Sequence, residues 1–454
     1  ANTRPVKVIS RPDQYVGIAT YNGNGGTQSI NVGLKPDLVW LKCRNATKTH
    51  RLYDSVRGAT KVLQPDLTDA EGTDSEGITS FDSDGFTLGN SGGHNGGSDI
   101  MVAWTWKAGG NKNTFNVDDV GYASASDVNM SVGGLNSSFY NQSQTWSNDL
   151  VSDNGNYFGT QTPAKAFDGD LTTKTTSSTG TGGTLTLDLS NNNLTGTLEV
   201  VTNTGMSVAV THSGGTTTIA AATSPDQAET INFGSLTSIS QIVVTGVSAP
   251  SNAMLYGIKL NGAELVDSGV SVTNVPTIAA TGCSVGTKQG FSIVTYTGTN
   301  SNESIPHGLD SAPSFYIVKA RENSAYTDFW SVYHESLGKD AYIKLNESNG
   351  ATTSSNIWNN TAPTDSVFYV KSDSIANEND IDYVAYLWHD VPGLQKFGKY
   401  SGNQNADGPF IELGFRPAMV WIKGIGSGST SWRIFDKERN PTNTSTTLYL
   451  RPNV

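Results

Sequence analysis

Hydrophobic positions in this chain alternate. In Gly183–Ser190 the leucines at 185, 187 and 189 are separated by Thr186 and Asp188, so one face is apolar and the other wet. In Ile100–Trp106 a heavy face, Val102, Trp104 and Trp106, opposes a light one, Ala103 and Thr105. No stretch longer than two turns keeps helical periodicity, and Gly, Asn, Asp and Ser separate the alternating runs. The pattern predicts an all-β protein: tandem β-sandwich (jelly-roll-like) domains, with a second type of β-sandwich inserted between them.

The tandem reading comes from an interrupted repeat. Three segments open with a strand ending in Tyr-x-Gly: Tyr21 and Gly23, Tyr296 and Gly298, Tyr400 and Gly402. Each then passes Gly plus an apolar residue and reaches PDLVWLK (Pro36–Lys42), PSFYIVK (Pro313–Lys319) or PAMVWIK (Pro417–Lys423). These are predicted strands, rich in aromatic and β-branched residues. A second strand follows: His50–Asp54, Phe329–His334 and Trp432–Asp436. The first two copies continue through Phe81–Leu88 and Ser366–Ser372 to Ile100–Trp106 and Asp382–Trp388, whereas the third stops short of these.

The boundaries read as an N-terminal arm at 1–14, repeat 1 at 15–110, a linker with the inserted sandwich at 111–287, repeat 2 at 288–393 and a partial repeat 3 at 394–454. The insert core is placed near 136–270, and its flanks read as a split linker. The recurring Trp40, Trp104, Trp106, Trp388 and Trp421 are expected in cores.

Composition narrows the function. Lys and Arg number 29 against 41 acidic residues, a net charge of −12, which repels phosphate backbones and predicts no nucleic-acid partner. No apolar run approaches eighteen residues, so no membrane insertion is expected. The start, ANTRPVKVIS, shows no secretory h-region and suits either removal of an initiator Met or a fragment of a longer chain. Cys43 and Cys283 read as two buried free thiols, with one disulfide as the alternative.

Catalytic signatures are weak. The six histidines lack metal spacing, and His94 is expected in a flexible Gly-rich loop. GNSGG (Gly89–Gly93) has no helix behind it, as a nucleophile elbow requires. Carboxylate clusters at Asp82/Asp84, Asp118/Asp119 and Glu378/Asp380/Asp382 read as solvated loops. The expectation is a protein that is not an enzyme and needs no cofactor, apart from the structural Ca²⁺ considered below. Phe139–Asp149 combines aromatics with hydrogen-bonding side chains, the mixture that stacks and orients a sugar. Tyr140, Trp146 and Tyr157, with Phe158 beside them, are the candidate ligand-binding residues; packing of the insert's own core is the alternative.

The landmarks YNGNGG, GLKPDLVWLK, RLYDSVRGATK, SFDSDGFTLG, VAWTWKAG, KQGFSIVTYTG, NNTAPTDSVF and FGKYSGNQNADGPFIELGFRPAMVWIK resemble a repeat found in virion structural proteins of marine bacteriophages, often described as tail-fibre or tail-associated. The resemblance spans roughly 15–107 and 288–445. It implies a virion protein made in the host cytoplasm, tail-associated as a fibre, appendage or receptor-binding protein. Its partners would be other virion proteins, further copies of itself (a trimer by analogy) and host cell-surface glycan through the insert. A purely structural capsid-decorating or tail-docking protein is the alternative, followed by a polysaccharide depolymerase. AFDGDLTTK (Ala166–Lys174) is similar to the opening motif of discoidin-like, galactose-binding jelly rolls, with Lys174 and Thr175 where a Trp is usual. That resemblance implies a structural Ca²⁺ held at Asp168, Asp170 and Thr173; a simple turn is the alternative reading.

Overall fold

In the computed structural model the described residues are all but 1–7, 133–138, 141–143, 222–226, 248–251, 269, 271–274, 323–328, 427 and 443–447; for 139–140 only the backbone is described. The fold is all-β. The chain forms two compact units, one of residues 1–131 with 276–454 and one of 132–275.

In the first unit, repeat 1 contributes β1 (Val16–Asn22), β2 (Gln28–Asn31), β3 (Leu38–Cys43), β4 (Arg51–Asp54), β5 (Ile78–Phe81), β6 (Gly85–Leu88) and β7 (Ile100–Trp106). Repeat 2 contributes β8 (Phe291–Thr297), β9 (Glu303–Pro306), β10 (Phe315–Ala320), β11 (Ser331–His334), β12 (Val367–Val370) and β13 (Asp382–Trp388). Repeat 3 contributes β14 (Met419–Ile422) and β15 (Arg433–Asp436). The main sheet of repeat 1 runs β1-β7-β3-β4, and repeat 2 has the same order, β8-β13-β10-β11, within a nine-stranded sheet. Register is preserved: Trp106 lies opposite Val16 and Leu38, and Trp388 opposite Phe291 and Phe315. The flanks expected as a linker are strands instead. Phe115–Val117 pairs in parallel with Gly282–Gly286, which extends the sheet of repeat 2 through β8.

Each full repeat is a sandwich. Smaller sheets, β2-β6-β5 and β9-β12, cover the light faces. Val39, Leu41, Phe86, Met101 and Ala103 fill one interior; Tyr296, Tyr316, Val318, Phe368 and Ala385 fill the other. The heavy faces do something the tandem reading lacks: they meet each other. Leu38, Trp40, Trp104 and Trp106 of repeat 1, Phe291, Phe315 and Trp388 of repeat 2, and Trp432 and Ile434 of repeat 3 form one shared core. Edge-on indole pairs cross the repeats, with ring centroids 5.2 Å apart for Trp40–Trp421 and 6.2 Å for Trp106–Trp388. Such pairs add about 0.5–1.5 kcal/mol each beyond area burial.

The landmark lysines join the repeats in one direction around a closed ring. The landmark Lys42 donates from Nζ to the carbonyl of Val454 at 3.0 Å, Lys319 to that of Thr68 at 3.2 Å and Lys423 to that of Ser348 at 2.7 Å. Repeat 1 thus leans on repeat 3, repeat 2 on repeat 1, and repeat 3 on repeat 2. A second set of ring nitrogens follows the same circuit. Trp330 Nε1 donates to Leu67 O at 3.2 Å and Trp432 Nε1 to Lys344 O at 2.9 Å. His50, at the matching position, accepts from Trp40 Nε1 on Nδ1, so its Nε2 carries the proton and donates to Arg451 O at 3.0 Å.

The Tyr-x-Gly signature also has a physical role. Tyr21 and Tyr296 donate to His94 O and Ala376 O, in the loops that lead into β7 and β13. A Cβ on Gly23 or Gly298 would fall 2.1 Å from Gly96 O or 2.2 Å from Glu378 O, so only glycine fits. In repeat 3 the predicted strand at Phe397–Gly402 forms no ladder, because the described residues place no central strand beside it. Cys43 and Cys283 are free and buried. His94 is fully buried against Tyr53 rather than loose in a loop, since that loop packs under the first sandwich. Among the described residues no helix is long and apolar enough to cross a membrane.

Candidate functional site

The second unit is a sandwich of a different kind. One sheet contains Leu194–Asn203, Ala228–Ile239, Met254–Leu260 and Ala263–Leu265; the other contains Leu150–Ser152, Thr184–Asp188, Met206–His212, Gly215–Ala220 and Gln241–Gly246. Leu185, Leu187, Val208, Val210, Leu198, Val200 and Ile258 fill the space between them.

The aromatic candidates separate sharply. Trp146 begins a short 3-10 turn and is only 1% exposed, packed into the core with Leu150 and Phe167, so its ring offers no face to a ligand. Tyr157 packs against the same core, and its hydroxyl donates to Leu150 O at 3.0 Å while accepting from Ser152 N at 3.2 Å. The backbone of Tyr140 pairs with Leu265; its side chain lies outside the described residues. Phe158 is 60% exposed. Its amide donates to Thr176 O at 3.0 Å, which anchors the loop beneath the ring. Exposed Asn154 and Asn156 lie in the same loop, and Asn154 Nδ2 donates to Ser178 Oγ at 3.0 Å. The structure therefore offers an apolar ring held on a fixed, amide-rich loop.

A second feature lies in the turn after Ala166. Phe167, fully buried, pins its start, and Gly169 takes φ +77°, which lets the chain fold back. Thr173 Oγ1 stands 2.8 Å from Asp168 Oδ2, 3.0 Å from Lys165 O and 3.2 Å from Asp170 O. Thr173 Oγ1 thus gathers a carboxylate and two carbonyl oxygens, the ligand types Ca²⁺ takes, around one hydroxyl. Glu264, on the strand Ala263–Leu265, lies near this turn. It is 6% exposed, and its Oε1 is buried without a hydrogen-bond partner. A Cβ on Gly257 would sit 3.5 Å from that oxygen and 3.7 Å from Ala166 O, which places the carboxyl beside the turn. Burial pushes Glu264 up to about 7, and Asp168 and Asp170 push the same way against the opposing pull of Lys259.

An unpaired buried carboxyl beside two other acids is the arrangement a cation would relieve. Among the described residues no three His, Cys, Asp or Glu side chains gather into a metal group. Lys165 Nζ, 3.2 Å from Asp168 Oδ2, already supplies one positive charge at the rim. Asp168 and Thr173 come together as the sequence suggested. Asp170 contributes its carbonyl to the cluster, while its carboxylate accepts from Thr172. Glu264 was missed; its only signal is an acid between the apolar Ala263 and Leu265.

Two of the three carboxylate clusters read as solvated loops, Asp82/Asp84 and Asp118/Asp119, are occupied locally. Asp82 accepts from Thr87 and Ser80, Asp84 from Asn31, Asp118 from Thr287, and Asp119 pairs with Lys107.

These features define an all-β protein in which a repeat-built unit carries an inserted sandwich with an exposed aromatic loop. A family model described as a domain of unknown function, DUF7483, matches residues 11–133 and 264–454. The chain belongs to that family. No curated protein matches it. Among solved structures, a fucolectin (f-lectin) from the serum of the striped bass Morone saxatilis is 10% identical, with 56% of this chain and 94% of that one covered and a TM-score of 0.21. The CBM32-1, CBM32-2 and M60 catalytic domains of Clostridium perfringens ZmpB are 7% identical, covering 82% and 51%, with a TM-score of 0.19. A Paenibacillus xanthan lyase is 12% identical, covering 82% and 37%, with a TM-score of 0.18. Likenesses at such scores decide neither fold nor function.

Proposed function

We propose that this chain is a non-catalytic bacteriophage virion structural protein, tail-associated, whose inserted unit adheres to host-surface glycan. The adhesion reading is carried by one observation: Phe158 presents a 60%-exposed ring on an anchored loop that also bears Asn154 and Asn156. An aromatic face takes the C–H face of a sugar ring, and amide groups beside it bond the hydroxyls. The virion reading rests on the repeat resemblance. The repeated landmark residues support its structural half, since their polar groups are spent on holding repeats together. Ca²⁺ in the turn of Asp168, Asp170 and Thr173, completed by Glu264, would stiffen the sandwich beneath this loop. Several copies on one particle would compensate for weak single-site binding.

The test is a glycan array probed with the full chain in Ca²⁺ and again in chelator. Retention on bacterial surface glycans without cleavage products supports the reading. An array with no retained glycan in either condition, or one showing shortened products, overturns it.

A further inference from the structure

Phe158 shares its face of the inserted sandwich with a cation. Its amide donates to Thr176 O, and Thr176 lies opposite Met254 on the strand Met254–Leu260. Neighbouring strands are about 4.8 Å apart, so two spacings, about 10 Å, separate Phe158 from Met254. Side chains alternate along both short runs. Tyr157 bridges Ser177 and packs on the core, and Thr175 lies opposite the core residue Leu255. Phe158, Lys174, Thr176 and Met254 therefore share the other face.

Lys174 is half-buried there, with its ammonium held against an aromatic ring. Nζ donates to Tyr256 Oη at 3.2 Å and to Met254 Sδ at 3.4 Å, and stands 5.3 Å from the centroid of the Tyr256 ring. Both acceptors are neutral. The half-buried Lys48, Lys107 and Lys344 each hold a carboxylate instead, from Asp99, Asp119 and Glu347. The buried Lys42 and Lys319 hold carbonyl oxygens. Among the described residues Lys174 has no anionic partner, in a chain whose acids outnumber its bases by 41 to 29. An ammonium has three donors, and a carboxylate is the acceptor that the unmatched one bonds most strongly.

We infer that the glycan taken at Phe158 is acidic, a polymer of uronic or other carboxylate-bearing sugars, and that Lys174 binds the carboxylate. The inference rests on the reading of Phe158 as the sugar platform and adds the class of sugar. With one ring stacked on Phe158, the next sugar lies along the row Phe158–Thr176–Met254 and brings its carboxylate to Nζ. Asn154 and Asn156 are uncharged and bond hydroxyls of either class, so the selection for acid falls to Lys174.

The experiment is an array of bacterial glycans in neutral, carboxylate-bearing and sulfated or phosphorylated groups, probed with the full chain. Each retained acidic glycan is also presented with its carboxylates reduced to alcohols. The wild type is expected to retain carboxylate-bearing glycans and to bind their reduced forms at least tenfold more weakly. Lys174→Met keeps the aliphatic stem and removes the charge. It should melt like the wild type, lose at least tenfold on the acidic glycans and bind both forms alike. Equal binding of acidic and reduced forms by the wild type overturns the inference, and so does retention confined to sulfated or phosphorylated glycans. Retention of neutral glycans alone, lost in Phe158→Ala and unchanged in Lys174→Met, overturns it while leaving adhesion through Phe158 standing. An array with no retained glycan overturns both.

Discussion

Tyr386 donates from its hydroxyl to Asp54 Oδ2 at 2.7 Å, a buried hydrogen bond between repeat 2 and repeat 1. The same carboxylate holds Arg57, which burial disfavours but Asp54 and Glu71 keep charged. Repeat 3 reproduces the unit: Asp436 pairs with Arg439 and accepts from Trp104 Nε1 at 2.9 Å. Asp54 and Asp436 each tie their own turn to the neighbouring repeat.

Tyr386→Phe keeps the ring and removes the bond, so it should cost about 1.5–3 kcal/mol, the range for hydrogen bonds to a charged group. Asp54→Ala should cost more, about 3–5 kcal/mol, because it leaves buried Arg57 with Glu71 as its one remaining carboxylate partner. Denaturant unfolding of the full chain checks both. If the bond matters as described, the double variant should cost less than the sum of the two.

Buried histidines set an acid limit, His94 and His307 among them, with His50 and His334 shifted the same way. Burial lowers His94 and His307 to about 4, from an ordinary 6.5. Between those values the unfolded chain binds protons that the folded chain refuses, so stability rises with pH across roughly 4 to 6.5. The contribution is complete above 6.5 and lost as pH falls through 4, by roughly 3 kcal/mol per histidine. Thermal melts at pH 4.5, 5.5 and 7 should rise in that order. His94→Gln and His307→Gln should each flatten the rise.

Glu264 works in the opposite sense. Its folded value, about 7, lies above the ordinary 4.5 of a glutamate, so it weakens the fold as pH rises through that window. A cation in the Asp168 turn would reverse this. Added Ca²⁺ should raise the melting midpoint more at pH 8 than at pH 5. Glu264→Gln should stabilise the calcium-free protein at pH 8 and shrink the response to Ca²⁺, as read by calorimetry with and without chelator.

Much of this architecture is readable in the sequence, for particular reasons. The alternation in LTLDL reports burial on one face, the heavy and light faces of VAWTW report two different packing layers, and PDLVWLK, PSFYIVK and PAMVWIK report the same strand three times. What the heavy faces meet is not written locally. Trp104 is apolar in either a private or a shared core, and only contacts between repeats, its own bond to Asp436 and the ring of Lys42, Lys319 and Lys423 among them, place it in the shared one. Aromatic identity likewise does not reveal which side of a loop faces inward. Trp146 and Phe158 are both aromatic residues of the insert's loop-rich part, yet one is core and the other surface. Glu264 escaped notice because its partners, Asp168 and Asp170, lie nearly a hundred positions away and meet it only through the folded sandwich.

That contrast between Trp146 and Phe158 supplies the most direct test of adhesion. Trp146→Ala should destabilise the insert by about 3–5 kcal/mol, whereas Phe158→Ala should leave stability within about 0.5 kcal/mol. The deciding measurement is equilibrium binding of an array-selected glycan to the full wild-type chain and to Phe158→Ala, with matched melting curves. The account predicts saturable binding by the wild type and at least a tenfold loss in the variant at unchanged stability. Equal binding by the two proteins would contradict it.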